Sequence, residues 1–453
     1  MIVVVGGGIT GLAAALRLQE AGAEFLLVEA GRRLGGKILT ERTGGFVVEG
    51  GPDCFLASKP DGMALVRRLG LDARLCRTDP AHRGTYVRRG GRLHRLPEGL
   101  TGLVPTRIRP LLSTTALTSL GRVRACLEPF IRSRALSDDE SIAQFARRRF
   151  GRDTYDWLIE PLLSGIYAGD GEQISLAATF PFLAELERNE GSVLRAMARR
   201  RSGGAGFVTL VRGLAELVDA LARRLPPERV RLGTAVTGLA SHGSAYTVEL
   251  SQGSAVDAER LILAIPAPVA ARLVDPIDRT MSTELLGIPF VSTSTVSLGY
   301  APGALRQPLS GYGFLSPRAA GGALVAGTWT SNKFPGRAPT SATLVRFFIG
   351  RAGMEHTLEQ PDDALIHLAR SEMGRIAGVS ATPALARVFR WPQSMPQYVV
   401  GHRLRLERLG QLLARHPGLA LAGASYRGVG IPDCIASGWT AAGDALEQIG
   451  AAA

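Results

Sequence analysis

Cysteine is scarce in this chain. There are four in 453 residues (Cys54, Cys76, Cys126 and Cys434), and no two form a CxxC pair. That excludes a disulfide framework and a thiolate metal site, and it fits a reducing compartment. None of the seven histidines stands near another, so no metal ligand set and no Ser/His/Asp or Cys/His constellation is expected. No apolar run reaches the roughly 18 residues that a membrane-crossing helix needs. Met1 leads directly into a strand-like run rather than a charged leader, so no signal peptide is expected and the cytoplasm is the default compartment. Acidic residues fall short of basic ones, 40 against 53, leaving a net charge of +13 carried almost wholly by arginine. Such a surface favours nucleic acid, an acidic membrane face or a polyanionic small molecule. The clusters Arg147–Arg149 and Arg199–Arg201 sit in helical-looking context without zinc spacing, an RNA-binding signature or a helix-turn-helix pattern. No nucleic-acid partner is expected, and most of these arginines read as a solvated face.

What is present is core and glycine. Hydrophobic residues make up 45% of the chain and charged residues 21%, enough for a packed interior of two to three domain-sized units. The 55 glycines exceed the ordinary share of about 7%. They fall at turns between apolar runs without a repeat, which predicts an α/β protein with many tight connections.

Ile2–Val5 is a short, fully apolar run ending in glycines, as a buried parallel strand is. Helical spacing follows from Ile9 to Ala21, stopped by Gly22, and Phe25–Val28 is the next strand, ending at Glu29. Residues 98–200 read as mostly helical, about 228–265 and 290–350 as strand-rich, and Leu419–Ala422 as a strand before a last helix from about 433 to 447. The closing strand–turn–helix has the character of the opening one, so the domain they build is expected to be discontinuous, with other layers inserted.

The first chemical motif is Gly6-Gly7-Gly8-Ile9-Thr10-Gly11, a G-x-G-x-x-G between strand and helix. Gly6 permits the tight turn, Gly8 lets backbone approach a pyrophosphate, and Gly11 lets helix pack on strand, with the helix N-terminus facing the negative charge. Glu29 lies the expected twenty or so residues further on, where a ribose-hydroxyl acceptor belongs, and a carboxylate there disfavours the 2′-phosphate of NADP. NAD and FAD share this opening. Glu29-Ala30-Gly31-Arg32-Arg33-Leu34-Gly35-Gly36-Lys37 discriminates between them. Its second glycine pair, Gly35-Gly36, brings another backbone segment to the dinucleotide, and Arg33 and Lys37 offer charge to the pyrophosphate or flavin side. FAD is the predicted cofactor. Gly428-Val429-Gly430-Ile431-Pro432-Asp433 then opens the last helix, whose N-terminus suits negative charge developing on a reduced flavin.

In this order, GGGITGL, EAGRRLGGK, EGGPDCF, LIEPLLSGIYAGD, MPQYVVGH and GVGIPDCIASG make the chain resemble the flavin amine oxidase/phytoene desaturase superfamily. Within it the chain is most similar to the porphyrinogen oxidases of haem synthesis, in the soluble Gram-positive form that oxidises coproporphyrinogen III. Relatives that act on protoporphyrinogen IX share nearly every motif. The resemblance covers essentially the whole chain. It implies an α/β fold in which a discontinuous Rossmann-like FAD domain (1–75, 204–270 and 385–453) carries a mixed β-sheet substrate domain (76–97 and 271–384) and a helical insert (98–203). In membrane-associated relatives the helical part touches the bilayer; here its basic, moderately apolar helices suit only peripheral contact with the inner face of the cell membrane. A homodimer and transient contact with the next haem-pathway enzyme are compatible with the resemblance.

Motif matching places FAD contacts on Gly6, Gly7, Gly8, Ile9, Thr10, Gly11, Glu29, Ala30, Arg33, Gly36, Lys37, Gly51, Pro52, Asp53, Cys54, Val236, Trp391, Val429, Gly430 and Ile431. For the substrate, an apolar macrocycle with carboxylate arms, the resemblance implies Gly165, Ile166 and Tyr167 against the ring and Lys59 on a propionate. Relatives selective for the two-propionate substrate often carry an Arg near the position of Thr85. Thr85 and the nearby Arg83 therefore favour the four-carboxylate substrate, as does the positive charge. The implied reaction moves hydride from a methylene bridge to flavin N5 in three rounds, with dioxygen taking the electrons and hydrogen peroxide released. No catalytic base is required, and His402 reads as a structural hydrogen-bonding residue. A flavin amine oxidase or carotenoid desaturase, and a non-catalytic tetrapyrrole-binding flavoprotein, remain the alternatives.

Overall fold

Five short apolar strands align in parallel in the order Val230–Arg231, Phe25–Val28, Ile2–Val5, Arg260–Leu263 and Leu419–Leu421. Their residues alternate between two faces, and both faces are covered. Ile2, Val4 and Leu27 join one apolar cluster with the helices Ile9–Glu20, Ala215–Ala222 and Ile431–Gly450. Val3, Val5, Leu26 and Val28 join a second with the hairpin strands Val236–His242 and Ala245–Leu250 and the helices Ala267–Val274, Arg279–Leu286 and His402–Leu413. Burial on both faces is why these runs are continuously apolar rather than alternating with polar residues. One sheet takes its strands from the beginning, middle and end of the chain, which is the discontinuity the sequence predicts. This computed structural model describes residues 1–101, 103–133, 139–199, 206–251 and 253–450. Arg200, Arg201 and the expected boundary at 203/204 lie outside the described residues.

A second, seven-stranded sheet is mixed, in the order Leu385–Pro396, Phe290–Tyr300, Thr343–Ile349, Leu324–Thr328, Gly313–Leu315, Thr85–Arg89 and Arg92–Arg95. One face packs on the helix Asp362–Ala377 around Val296, Leu298, Val345 and Phe347. Leu385–Pro396, at the head of the expected 385–453 cofactor segment, is hydrogen-bonded along Phe290–Tyr300. By its hydrogen bonds this strand is part of the large sheet. The helices Ile142–Phe150, Glu160–Tyr167, Pro181–Glu190 and Val193–Arg199 share a core with Phe145, Phe150, Tyr155, Leu163 and Leu186. Among the described residues, no helix is long and apolar enough to cross a membrane.

Candidate cofactor and substrate site

The first turn is built for close approach. Gly6 holds φ +105°, a left-handed conformation that favours glycine. A Cβ on Gly11 would stand 1.9 Å from the Gly6 carbonyl oxygen, so helix Ile9–Glu20 packs on the turn only because Gly11 has no side chain. Gly8 has nothing within 4 Å of the position a Cβ would take, and it caps the helix without any side-chain hydrogen bond. Unmet N–H groups at a helix N-terminus facing open space suit an anion. Glu29 stands beside them, its carboxylate accepting from Gly7 N at 2.6 Å and Gly31 N at 2.7 Å. Gly35 N donates to Gly7 O at 2.8 Å, and a Cβ on Gly36 would meet Gly8 Cα at 3.2 Å. The second glycine pair therefore lies on the first turn. Gly233 N and Thr234 N donate to the Gly31 and Glu29 carbonyls, which brings the segment leading into Val236 alongside the exposed Ala30. These residues fit a dinucleotide.

Arg33 turns back on its own loop and donates to the carbonyls of Leu34, Gly36 and Ile38. Lys37 reaches Ser394 O, and burial lowers its pKa. Gly51 packs on the Lys37 carbonyl. Beside it the Gly50 carbonyl accepts from Trp391 Nε1 at 2.8 Å and Thr295 Oγ1 at 3.0 Å. Trp391 thus reaches the cofactor segment from the large sheet. Burial pushes the Asp53 carboxyl up, but the charges of Lys333 and Arg346 outweigh it and hold Asp53 well below the usual carboxylate range. Burial and the neighbouring Asp53 push the Cys54 thiol up.

The last helix starts beside the first. Pro432 and Asp433 occupy its opening turn, and Gly430 N donates to Asp433 Oδ2 at 3.1 Å. Lys59 donates to both Asp433 oxygens, at 2.6 and 2.5 Å, so its ammonium is held by the turn that carries Val429, Gly430 and Ile431. Burial pushes the Cys434 thiol up to about 11. Tyr398 ties this turn to the helix Glu160–Tyr167. Its hydroxyl accepts from Gly428 N at 2.8 Å and donates to Ala424 O at 2.6 Å, while its ring lies 6.2 Å from that of Tyr167. Gln397 Nε2 donates to Tyr167 O at 2.9 Å. Tyr167 is buried, whereas Gly165 and Ile166 are exposed, and a Cβ on Gly165 would meet Leu315 of the large sheet at 3.2 Å. His402 is buried, stacks on Tyr398 at 4.3 Å and bonds Tyr426 O through Nε2.

Lys333, Arg346, Thr295, Tyr398 and Asp433 were not assigned to the site from the sequence. Tyr398 and Asp433 lie inside quoted motifs. Thr295 and Arg346 stand on strands whose pairing alone brings them here. Lys333 had one signal: it is one of only three lysines, with Lys37 and Lys59, in a chain whose other cations are arginine.

Comparison with known proteins agrees with this architecture. The family model described as flavin containing amine oxidoreductase matches residues 9–446. A coproporphyrinogen III oxidase of Bacillus subtilis (strain 168) is 37% identical over 465 aligned residues, covering 99% of this chain and 98% of its own. Another, from Propionibacterium freudenreichii subsp. freudenreichii, is 33% identical, with 98% and 90% covered. A crystal structure from Exiguobacterium sp. 255-15, provisionally named a protoporphyrinogen oxidase, is 34% identical and superimposes with a TM-score of 0.88, with 99% of each chain covered.

Proposed function

The chain belongs to the flavin containing amine oxidoreductase family and is an FAD-dependent oxidoreductase; from that premise we propose that it oxidises coproporphyrinogen III to coproporphyrin III with dioxygen as acceptor. The observation that carries the reading is Tyr398. One side chain holds the Gly428 turn at the start of the last helix and packs beside Tyr167 at the end of the helix that presents Gly165 and Ile166. Predicted flavin contacts and predicted macrocycle contacts are thereby one residue apart.

When bound, FAD supplies the two-electron acceptor for a methylene bridge of the macrocycle and passes the electrons to dioxygen. The chain's own part is placement and field. Gly6 to Gly11 and Glu29 hold the adenine–pyrophosphate half, with Ala30, Gly36 and Val236 beside them. Lys37, Gly51, Pro52, Asp53, Cys54 and Trp391, with Val429 to Ile431, enclose the flavin half. Gly165 and Ile166, both exposed and the first packed beside Leu315, offer an apolar face on which a flat ring lies, and Lys59 meets a carboxylate arm. Thr85 opens the strand that pairs with Gly313–Leu315, and the absence of an arginine there supports the four-carboxylate substrate. The basic, exposed face of the helical part suits peripheral contact with an anionic membrane.

The test is anaerobic mixing followed by admission of oxygen. Coproporphyrinogen III is expected to bleach the flavin band and, with oxygen, to give porphyrin fluorescence faster than protoporphyrinogen IX at matched concentration. Faster turnover of protoporphyrinogen IX overturns the substrate choice, and a flavin left oxidised by both overturns the reaction.

A further inference from the structure

The Gly50–Cys54 segment is held from the opposite sheet by two cations, the buried Arg346 and the largely covered Lys333. Arg346, on strand Thr343–Ile349, donates through Nη2 to the carbonyls of Gly50 and Gly51. Lys333 ends the short helix Thr330–Lys333. Its Nζ lies 2.9 Å from Asp53 Oδ2 and 3.3 Å from Cys54 Sγ, and the thiol in turn donates to Asp53 Oδ1 at 3.0 Å. The Lys333 and Asp53 side chains are only 13% and 14% exposed. The rings of Phe207 and Phe334 bound the ammonium at 5.3 and 5.1 Å. A compact ammonium with three donors suits a slot shared by a carboxylate, a thiol and two rings. The three lysines of the chain bond Ser394 (Lys37), Asp433 (Lys59) and Asp53 (Lys333).

We propose that Lys333 is a positioning residue for the flavin, acting through Asp53: from the substrate-side sheet it fixes the Gly50–Cys54 segment and cancels the Asp53 charge beside the isoalloxazine. The proposal rests on the reading above that this segment lines the flavin half of the site. A negative charge beside a flavin opposes its reduction and a positive one favours it. The pair therefore sets the midpoint potential by balance.

Midpoint potential and FAD dissociation constant are measured for the holoprotein and for K333M, D53N and the double variant. K333M leaves the carboxylate uncancelled, so the potential falls and FAD is held roughly tenfold more weakly. D53N leaves the ammonium uncancelled, so the potential rises. The double variant returns toward the parent, and K333R recovers part of the K333M loss. Opposite shifts that cancel are not produced by a merely structural role. K333M and D53N that both keep the parent potential overturn the proposal, as do shifts of the same sign. If K333M does not fold, D53N alone decides, a rise supporting the proposal and no change overturning it. Neither readout needs a porphyrinogen, so shifts found in a chain that oxidises neither substrate leave this inference standing and remove the functional one.

Discussion

Thr10 and Gly438 bring the first and last helices into backbone contact, for a Cβ on Gly438 would stand 2.1 Å from the Thr10 carbonyl oxygen. The turns that open these two helices carry the proposed cofactor contacts Gly6–Gly8 and Val429–Gly430, so the packing of the helices positions both turns. Gly438→Ala forces the axes apart, and overpacking of this kind costs about 1–3 kcal/mol. Lower thermal stability and lower FAD retention are expected together. Gly410 is the control. It lies exposed in His402–Leu413 with nothing within 4 Å of a Cβ, so Gly410→Ala gains up to about 1 kcal/mol of helix propensity with FAD content unchanged. Equal behaviour of the two alanines in calorimetry would contradict the packing argument.

Glu29 accepts from the backbone of Gly7 and of Gly31, and so braces the turn proposed to face the dinucleotide. Glu29→Ala leaves those two N–H groups unpaired and also removes the expected ribose acceptor. Each loss is on the order of 1 kcal/mol or more, so FAD is expected to bind the apoprotein at least about tenfold more weakly. Flavin fluorescence titration checks this. Glu29→Gln, which keeps an acceptor oxygen, is expected to fall between the two.

The parallel sheet was readable because its inner strands, buried on both faces, are uninterrupted apolar runs, Ile2–Val5 ending at Gly6 and Phe25–Val28 ending at Glu29. The glycine turn was readable because its geometry is local, Gly6 taking a left-handed conformation on which Gly11 packs. What the sequence did not reveal is long-range. Lys333 meets Asp53 across 280 positions, and Arg346 meets Gly50 across 296. Nothing near either cation marks it, since its role depends on how the large sheet docks on the cofactor segment. The same reason explains the strand Leu385–Pro396. Nothing in its local sequence marks its sheet, and only its pairing with Phe290–Tyr300 shows it.

His402 gives a pH dependence with a definite sign. Burial lowers its pKa, opposed by the bond to Tyr426 O and aided by Arg405. The folded chain therefore binds this proton less readily than the unfolded one, whose histidine titrates near 6.5. Stability from this group is complete above that value and is lost as pH falls from about 6.5 toward the folded pKa. Asp53, held below its ordinary 3.8, adds an acid-side loss only under that value. The contribution of this group to the melting temperature is expected to be constant above pH 7 and to be lost as pH falls below about 6.5. In His402→Gln the drop should shrink, and an unchanged slope would remove His402 as its source.

Peripheral membrane contact has a specific surface to test. Between residues 108 and 130, Ile108, Leu112, Leu120, Val123, Leu127 and Phe130 are exposed, Leu120 and Phe130 each by 79%. Arg107, Arg109 and Arg132 stand exposed beside them. Exposed apolar side chains rimmed by cations suit the headgroup boundary of an anionic bilayer, where apolar burial and charge attraction add. The wild-type chain is expected to co-sediment with phosphatidylglycerol vesicles at low salt, less at high salt, and little with phosphatidylcholine alone. Leu120→Glu with Phe130→Glu places carboxylates at the two most exposed apolar positions and should abolish co-sedimentation. Both side chains point away from the core, so melting temperature and flavin content should hold. If the double variant sediments as the parent does, charge alone draws the chain to the vesicle and the apolar face plays no part in it.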